Sequence, residues 1–393
     1  MPSLSRISLL LAALAATFVA VIQPRLAALG IGREVVPLNN EQCYDIPDLE
    51  ACEDAWADDA SGKTYLVCSD RRSRVAWVPA MLHLNASALP PLSTDYLALL
   101  DLPSRTVSKV RLTGLPEEAQ GIWVHGLDVF RSPSSPSRLT LFINSHRPPS
   151  NRALSAQTGA DSVVEVFETE LGSGEARWVR TIEHELVRTP NNMAAVSETG
   201  VYITNDHRYK AHWSRKYEKL HAVPSEIVYC DLSSSTPACK VAADNLPYPN
   251  GIAKGAGNTL YSASTLGALV NVWSINADHT LSLVEAVPIA RPIDNVHYDP
   301  LTDAVYATAL AKVLDFIEVG KTGGMGGGTA AVEVWRVRKA GKGEGTGGKK
   351  YIAELAFADT GAIVSASTTA APYRDSLLLT GLFADKAVVC KIK

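Results

Sequence analysis

The sequence predicts an all-β chain: a six-bladed β-propeller over residues 31–393, preceded by an apolar helix within residues 1–30. Three observations carry that prediction. Short segments rich in Val, Ile, Tyr and Thr recur between clusters of Gly, Pro, Asn, Asp and Ser, among them YLVCS, LTLFINS, VVEVFE, GVYITN, TLYSAS and AVYATAL, the pattern of strands joined by turns. Beyond about residue 40, little reads as a long amphipathic helix. A unit also repeats, in which an Asn opens a strand and a Tyr follows eleven positions later: Asn191 and Tyr202, Asn250 and Tyr261, Asn295 and Tyr306.

In chain order, the apolar run ISLLLAALAATFVAVI, residues 7–22, comes first, uncharged and preceded by Arg6. It is short for a membrane span and suits the hydrophobic region of a secretory signal. A cleavage pattern is poorly met, because Phe18 stands ahead of Ala20 where a small residue belongs, and Gln23-Pro24-Arg25 follow. The expectation is a signal peptide or an uncleaved signal-anchor, a chain in the secretory pathway that is extracellular or membrane-anchored, and an N-terminal segment able to meet a membrane or lipid surface. Asn85-Ala86-Ser87 is a glycosylation sequon in keeping with secretion. Six cysteines fit an oxidising compartment, although six allow fifteen pairings. Cys230 and Cys239 bracket CDLSSSTPAC, a stretch that a hairpin could close, while Cys43 and Cys390 lie near opposite ends of the folded region.

The first repeat unit is EDAWADDASGKTYLVCS, with Asp54 eleven residues before Tyr65, and HGLDVFRSPSSPSRLTLFINSH from His125 is a variant. The three Asn-to-Tyr units follow, and TGAIVSASTTAAPYRDSLLLTGLF from Thr360 is the sixth. Six units separated by roughly 45 to 70 residues suit six propeller blades with long loops. Residues 153–158 and 208–222 read as loop or short helix. The Gly-rich stretches from Gly320 and Lys339 read as solvated connectors, since neither leads into a helix pattern that would cradle phosphate.

A chain of 393 residues with 46% hydrophobic content is ample for a large core. Its 37 basic and 41 acidic residues leave a charge of −4 with no long basic block, which argues against a nucleic-acid partner. In a propeller the first residues of the inner strands converge on the axis, so Glu53, Asn191, Asn250, Asp294 and Asn295 would meet there. Read singly, each is an ordinary turn residue. Together, oxygen donors without Cys or clustered His describe a hard-cation site suited to Ca²⁺.

Several stretches carry a resemblance: RLAALGIGREVVPLNNEQC, the Glu53-Asp54 pair, VHGLDVF, TIEHELVRTPNNMAAV, TNDHRY, PNGIA, IDNVHYDPLTDAVYATAL and LLLTGLFADKAVVC. From about residue 24 onward the chain resembles the serum paraoxonase/arylesterase family of calcium-dependent six-bladed propellers. The resemblance implies two axial Ca²⁺ ions per chain. Glu53, Asn191, Asn250, Asp294 and Asn295 would hold the upper, catalytic one. Asp54, the backbone carbonyl of Leu127 and Asn192 would hold the deeper, structural one, and position 192 is a departure, being usually Asp in the family. The resemblance also implies a Cys43–Cys390 disulfide; proximity in the predicted blades adds Cys52 with Cys68 and Cys230 with Cys239.

His125 matches the family's catalytic position and His146 the second member of its histidine dyad, displaced by one extra residue, Ser145. His207 reads as a supporting residue, and His184 and His297 as structural or surface ones. The implied activity is hydrolysis of lactones and aryl esters: metal polarises the carbonyl, His125 with His146 activates water, and Asn250 or Asn191 stabilises the oxyanion. No Ser in a G-x-S-x-G setting offers a nucleophile instead. A gluconolactonase-like or strictosidine-synthase-like propeller is one alternative, although it would lack the histidine dyad and the terminal disulfide. The other is a non-catalytic, calcium-stabilised propeller that binds a lipid or protein partner. Loops 146–160 and 208–222 are expected to shape the channel mouth and so the choice of substrate.

Overall fold

The computed structural model describes residues 9, 11–13, 15–16, 18–217, 223–344 and 348–392. Residues 7, 8, 10, 14 and 17 of the apolar run, 218–222 of the second loop and 345–347 of the second Gly-rich stretch lie outside the described residues. Each β-rich segment of the sequence becomes a strand paired with its chain neighbour. Pro190–Ser197, Gly200–Asn205, Ser225–Asp231 and Ala238–Leu246 form one four-stranded antiparallel meander. Pro249–Lys254, Thr259–Ser264, Leu269–Ile275 and Leu281–Pro288 form the next. Ile293–Asp299, Ala304–Leu310, Val332–Lys339 and Tyr351–Asp359 form a third.

The sheet preceding these has eight strands and reads as two meanders joined at their outer edges. Cys52–Ala57, Lys63–Cys68, Tyr96–Asp101 and Thr106–Thr113 make one half; Val124–Arg131, Arg138–Arg147, Asp161–Glu170 and Glu175–Ile182 make the other. The joint is a short parallel pairing of Arg111–Thr113 with Glu175–Arg177. In the last sheet Thr369–Tyr373, Ser376–Thr380 and Ala387–Lys391 are completed by Cys43–Ile46 from the other end of the chain. Cys43 faces Cys390 in that pairing, and the two are disulfide-bonded. The other bonds are Cys52–Cys68 and Cys230–Cys239.

The first strands of the meanders touch in succession, and Thr369–Tyr373 touches Cys52–Ala57, so they form a closed ring. Apolar clusters fill the spaces between neighbouring sheets. Tyr65, Val67, Leu97 and Leu99, for example, pack against Leu127, Leu139, Leu141 and Phe167. The repeated tyrosines belong to this layer: Tyr65, Tyr202, Tyr261 and Tyr306 all lie in second strands and all are buried. With the apolar residues spent between the sheets, the polar ends of the inner strands are left for the axis.

Short helices qualify the all-β reading. Arg152–Leu154 and Ser155–Thr158 are helical turns that cover the predicted 153–158 segment, starting one residue before it, and Trp213–Tyr217 is one within 208–222. Val313–Thr322 is a ten-residue helix that burial of Phe316 and Val319 pins to the fold. Its last turn takes up Gly320, read from the sequence as the start of a connector. Glycine is required there, since a Cβ would lie 2.9 Å from the Phe383 ring. Arg71–Ala76 is a further helix, capped by Asp70 accepting from the Ser73 N–H at 2.8 Å.

At the N-terminus, Leu11–Ala28 is long and apolar enough, by length and composition, to cross a membrane, with mean hydropathy 1.6. None of the described residues of this stretch is buried in the fold. Asn85 is exposed, so its sequon lies at the surface.

Candidate active site at the ring axis

Most of the predicted site residues sit at irregularities in strand pairing. Register shifts fall between Cys52 and Asp54, Val124 and Leu127, Pro190 and Met193, Pro249 and Ile252, and Ile293 and Val296. Regular strands would send consecutive side chains to opposite faces, whereas a bulge re-aims them. That is how Glu53 and Asp54, Asn191 and Asn192, and Asp294 and Asn295 can each supply two side chains to the axis at different depths. Two glycines let the inner strands approach: a Cβ on Gly126 would stand 2.4 Å from the Asn191 carbonyl oxygen, and one on Gly251 would stand 2.5 Å from the Asn295 Cα.

The upper level opens into a cavity of about 440 Å³ whose polar side includes Glu53, His125, Asn191, Asn250 and Asp294. Glu53 Oε2, Asn191 Oδ1 and Asn250 Oδ1 are buried without a hydrogen-bond partner. Three such oxygens on one wall are costly unless something electropositive meets them. The carboxyls are under the same pressure. Burial, then the Asp54 and Asp294 charges, push Glu53 well above the usual carboxylate range. Burial takes Asp294 up to about 7, with Asp54 and Asp206 adding to the rise against a hydrogen bond from Asn250. Among the described residues no cluster of three His, Cys, Asp or Glu side chains is placed to hold a metal, so any site here draws on the asparagine amides. Two carboxylates and two neutral amide oxygens fit a hard divalent cation.

His125 is buried beside this wall, its Nε2 3.1 Å from Asn191 Nδ2. Burial, with His146 and Arg74 nearby, drives its pKa well below the ordinary histidine value, so the ring is neutral. His146 lies behind it at a ring-centroid distance of 5.1 Å, with Nδ1 2.8 Å from the Ser162 hydroxyl. Burial lowers His146 to about 4. The extra Ser145 therefore does not separate the pair; its hydroxyl accepts from the Trp123 N–H at 3.0 Å.

A second polar layer lies beneath. Asn295 is fully buried and faces this layer: Oδ1 accepts from Asn192 Nδ2 at 2.7 Å, and Nδ2 donates to Glu53 Oε1 at 2.9 Å. Asp54 and Asn192 meet directly at 3.0 Å. Leu127 approaches Asp54 through its N–H, at 2.9 Å. His297 contacts Asp54 at 3.2 Å, a structural position at the axis. The structure thus brings Glu53, Asn191, Asn250 and Asp294 to the cavity and sets Asn295 one layer deeper.

Other residues of the site gave little sign in the sequence. Arg74 is a buried cation whose Nη1 donates to the Val124 carbonyl at 2.7 Å, and whose charge acts on Glu53 and Asp95. An N-cap signal at Asp70 would have found its helix. Asp206 is buried with Oδ1 2.8 Å from His207 Nδ1; burial alone would raise it, but His207 and Arg215 hold it below the usual range. The His207 ring also lies 4.4 Å from that of Tyr248, tilted by 54°, and both line the cavity. Of the loops expected at the mouth, 208–222 contributes Arg215, whereas the cavity lining contains nothing from 146–160. Its apolar side comes instead from Val313–Thr322, through Val313, Leu314, Phe316 and Ile317, together with Leu29 and Leu382.

A ring of antiparallel meanders around a polar axis is the architecture of propeller-like proteins, and solved structures agree. The Malassezia sympodialis allergen Mala s 1 superposes with TM-score 0.54 at 11% identity, covering 90% of this chain and 96% of its own. A gluconolactonase from Xanthomonas campestris superposes with TM-score 0.50 at 12% identity, covering 92% and 98%. At such identities the likeness shows the fold alone. The family comes from sequence: the arylesterase family model matches residues 87–392. The chain belongs to the arylesterase family, a family of hydrolases. Serum paraoxonase/arylesterase 1 of Rattus norvegicus is 23% identical over 92% of this chain and 91% of its own length. The Homo sapiens protein of that name is 24% identical over 94% and 93%.

Proposed function

We propose that the chain is a six-bladed propeller, counting each half of the eight-stranded sheet as a blade, and that it hydrolyses lactones and aryl esters at one calcium ion held on the upper axis. The observation that supports this most directly is the set of three partnerless buried oxygens on one cavity wall next to a neutral histidine. Glu53, Asn191, Asn250 and Asp294 would hold the ion, which when bound supplies a Lewis acid for an ester carbonyl. The apolar side of the cavity, Leu29, Val313, Phe316 and Leu382, accepts the body of an aryl or aliphatic ester and keeps water scarce.

His125 is the general base. Burial keeps it unprotonated at neutral pH, and Nε2, which accepts from Asn191 Nδ2 at 3.1 Å, would exchange that contact for the proton of an attacking water. His125 Nδ1 and His146 Nε2 are each buried without a hydrogen-bond partner, with the ring centroids 5.1 Å apart, which supports a helper role for His146 beside His125. Asn191 and Asn250 have their Nδ2 groups committed to His125 and to Thr265, each at 3.1 Å, so they present oxygens to the cavity and would hold the ion rather than stabilise the substrate oxyanion. The three disulfides, the exposed Asn85 sequon and the apolar N-terminal segment support a secreted or membrane-anchored chain acting on small molecules.

The test is hydrolysis of phenyl acetate and a δ-lactone by the full chain, with calcium and then after chelation. Activity is expected to vanish on chelation and return with calcium. His125→Gln should lower kcat by about 10²-fold or more, the range for loss of a general base, while calcium binding persists. Asp294→Ala should lose both calcium affinity and turnover. If neither ester is cleaved under any condition, the chain is a non-catalytic propeller; cleavage indifferent to chelation and to His125→Gln would overturn the calcium and His125 mechanism.

A further inference from the structure

Beneath the cavity, the groups that a second axial ion would need are already bonded to one another. The Asp54 carboxylate is fully buried and accepts from three donors. Oδ1 receives the Ala55 N–H at 2.9 Å and lies 3.2 Å from His297 Nε2, with the Thr369 hydroxyl, which donates to the Glu53 carbonyl, 3.5 Å away. Oδ2 receives the Leu127 N–H at 2.9 Å and Asn192 Nδ2 at 3.0 Å. A carboxylate oxygen has about two lone-pair directions, so Oδ2, the oxygen that faces Asn192, has none left for a cation.

Asn192 is committed as well. Its Oδ1 accepts from the Met193 N–H at 2.7 Å, while Nδ2 donates to Asp54 Oδ2 and to Asn295 Oδ1, the latter at 2.7 Å. The Met193 N–H fixes which way the amide faces. Turned over, the amide would set its NH₂ against that N–H and its oxygen against two other oxygens. An amide therefore satisfies this position without a metal, and an aspartate would not: a second carboxylate in contact with Asp54 stays ionised only with a cation between them.

We propose that the deeper axial position takes no cation in this chain, and that Asn192 closes it with hydrogen bonds to Asp54 and Asn295. The three residues come from alternate inner strands of the ring, Cys52–Ala57, Pro190–Ser197 and Ile293–Asp299, so the pin ties together strands that do not pair. It does so in the absence of metal, and the ring stays closed when the upper ion is removed.

The experiment is calcium stoichiometry on the full chain, by titration calorimetry and by metal analysis after gel filtration in calcium. Wild type is expected to bind one equivalent, lost when Glu53→Gln and Asp294→Asn are combined. Asn192→Asp is expected to bind one equivalent more than wild type. Two equivalents in wild type would overturn the proposal, as would a single ion that survives the Glu53→Gln/Asp294→Asn change, because that ion would sit in the deeper position. An Asn192→Asp chain with unchanged stoichiometry would show that Asn192 is not the closing residue. No calcium in wild type but one equivalent in Asn192→Asp would uphold the pin and sink the upper site on which the proposed hydrolysis depends. Should Asn192→Asp fail to fold, the wild-type stoichiometry and its response to the upper-site change still decide.

Discussion

Replacing Cys43 and Cys390 together with Ser removes the covalent part of the ring closure and leaves the Cys43–Ile46 pairing with Ala387–Lys391 to hold it alone. The bond spans a sequence separation of 347, against 9 for Cys230–Cys239. On the chain-entropy account, releasing the longer loop costs about 6 kcal/mol and the shorter about 3. The first figure is comparable with the whole stability of many native domains, about 5–15 kcal/mol. Urea unfolding followed by tryptophan fluorescence, with calcium fixed, measures both double-serine variants against wild type. The Cys43/Cys390 variant is expected to unfold about 1 M lower in urea than the Cys230/Cys239 variant, taking a slope of about 3 kcal/mol per molar. Function should follow stability, because the closing sheet also positions the site. Thr369 and Thr368 donate to the Glu53 carbonyl at 2.7 and 3.2 Å, and the Asn295 N–H donates to the Thr368 carbonyl at 3.1 Å. Calcium affinity should therefore fall in the first variant and hold in the second. Equal midpoints, or equal calcium affinities, would refute the view that this bond closes the ring around the site.

Two further predictions concern the axis. Burial lowers His146 to about 4, so between its ordinary value near 6.5 and that point the unfolded chain takes up a proton that the folded chain refuses. Stability falls as pH drops through this window, by up to about 3 kcal/mol from this residue; His146→Gln should flatten the decline in urea midpoint between pH 7 and pH 5, and a decline as steep as wild type would assign it to other groups. Gly251→Ala should destabilise the fold by about 1–3 kcal/mol, the usual cost of overpacking, since its Cβ would meet Asn295 Cα at 2.5 Å and Val296 N at 2.6 Å. A thermal midpoint unchanged by that substitution would mean that the strands have room to separate.

Much of the ring was legible because turn residues punctuate it and the eleven-residue spacing marks each pair of inner strands. Tyr202, Tyr261 and Tyr306 kept that spacing because each fills the same kind of space between sheets. The helix Val313–Thr322 was not legible, since the Gly-rich residues after it hid its last turn and only Phe383 explains why Gly320 belongs to it. Arg74 was missed for a different reason: nothing in RRSR distinguishes the one arginine of the helix that is buried from those that are not. Adjacent polar pairs were legible as candidates, but their depths were not. Depth is set by bulges, and bulges leave no residue signature in this chain.

The consequence is clearest at Asp294-Asn295, where two neighbours expected at one ion divide between two layers. Asp294 faces the cavity, and Asn295 bonds downward to Asn192 and sideways to Glu53. Glu53 is divided in turn, with Oε1 held by Asn295 and Oε2 left without a partner. Holding one oxygen fixes the rotamer that presents the other, which is the preorganisation a weakly charged cation site needs. Two hydrogen bonds thus connect position 192 to the cavity wall, through Asn295 to Glu53. A change at Asn192 that turned the Asn295 amide would take a donor from Glu53 and weaken the upper site, with no strand having moved.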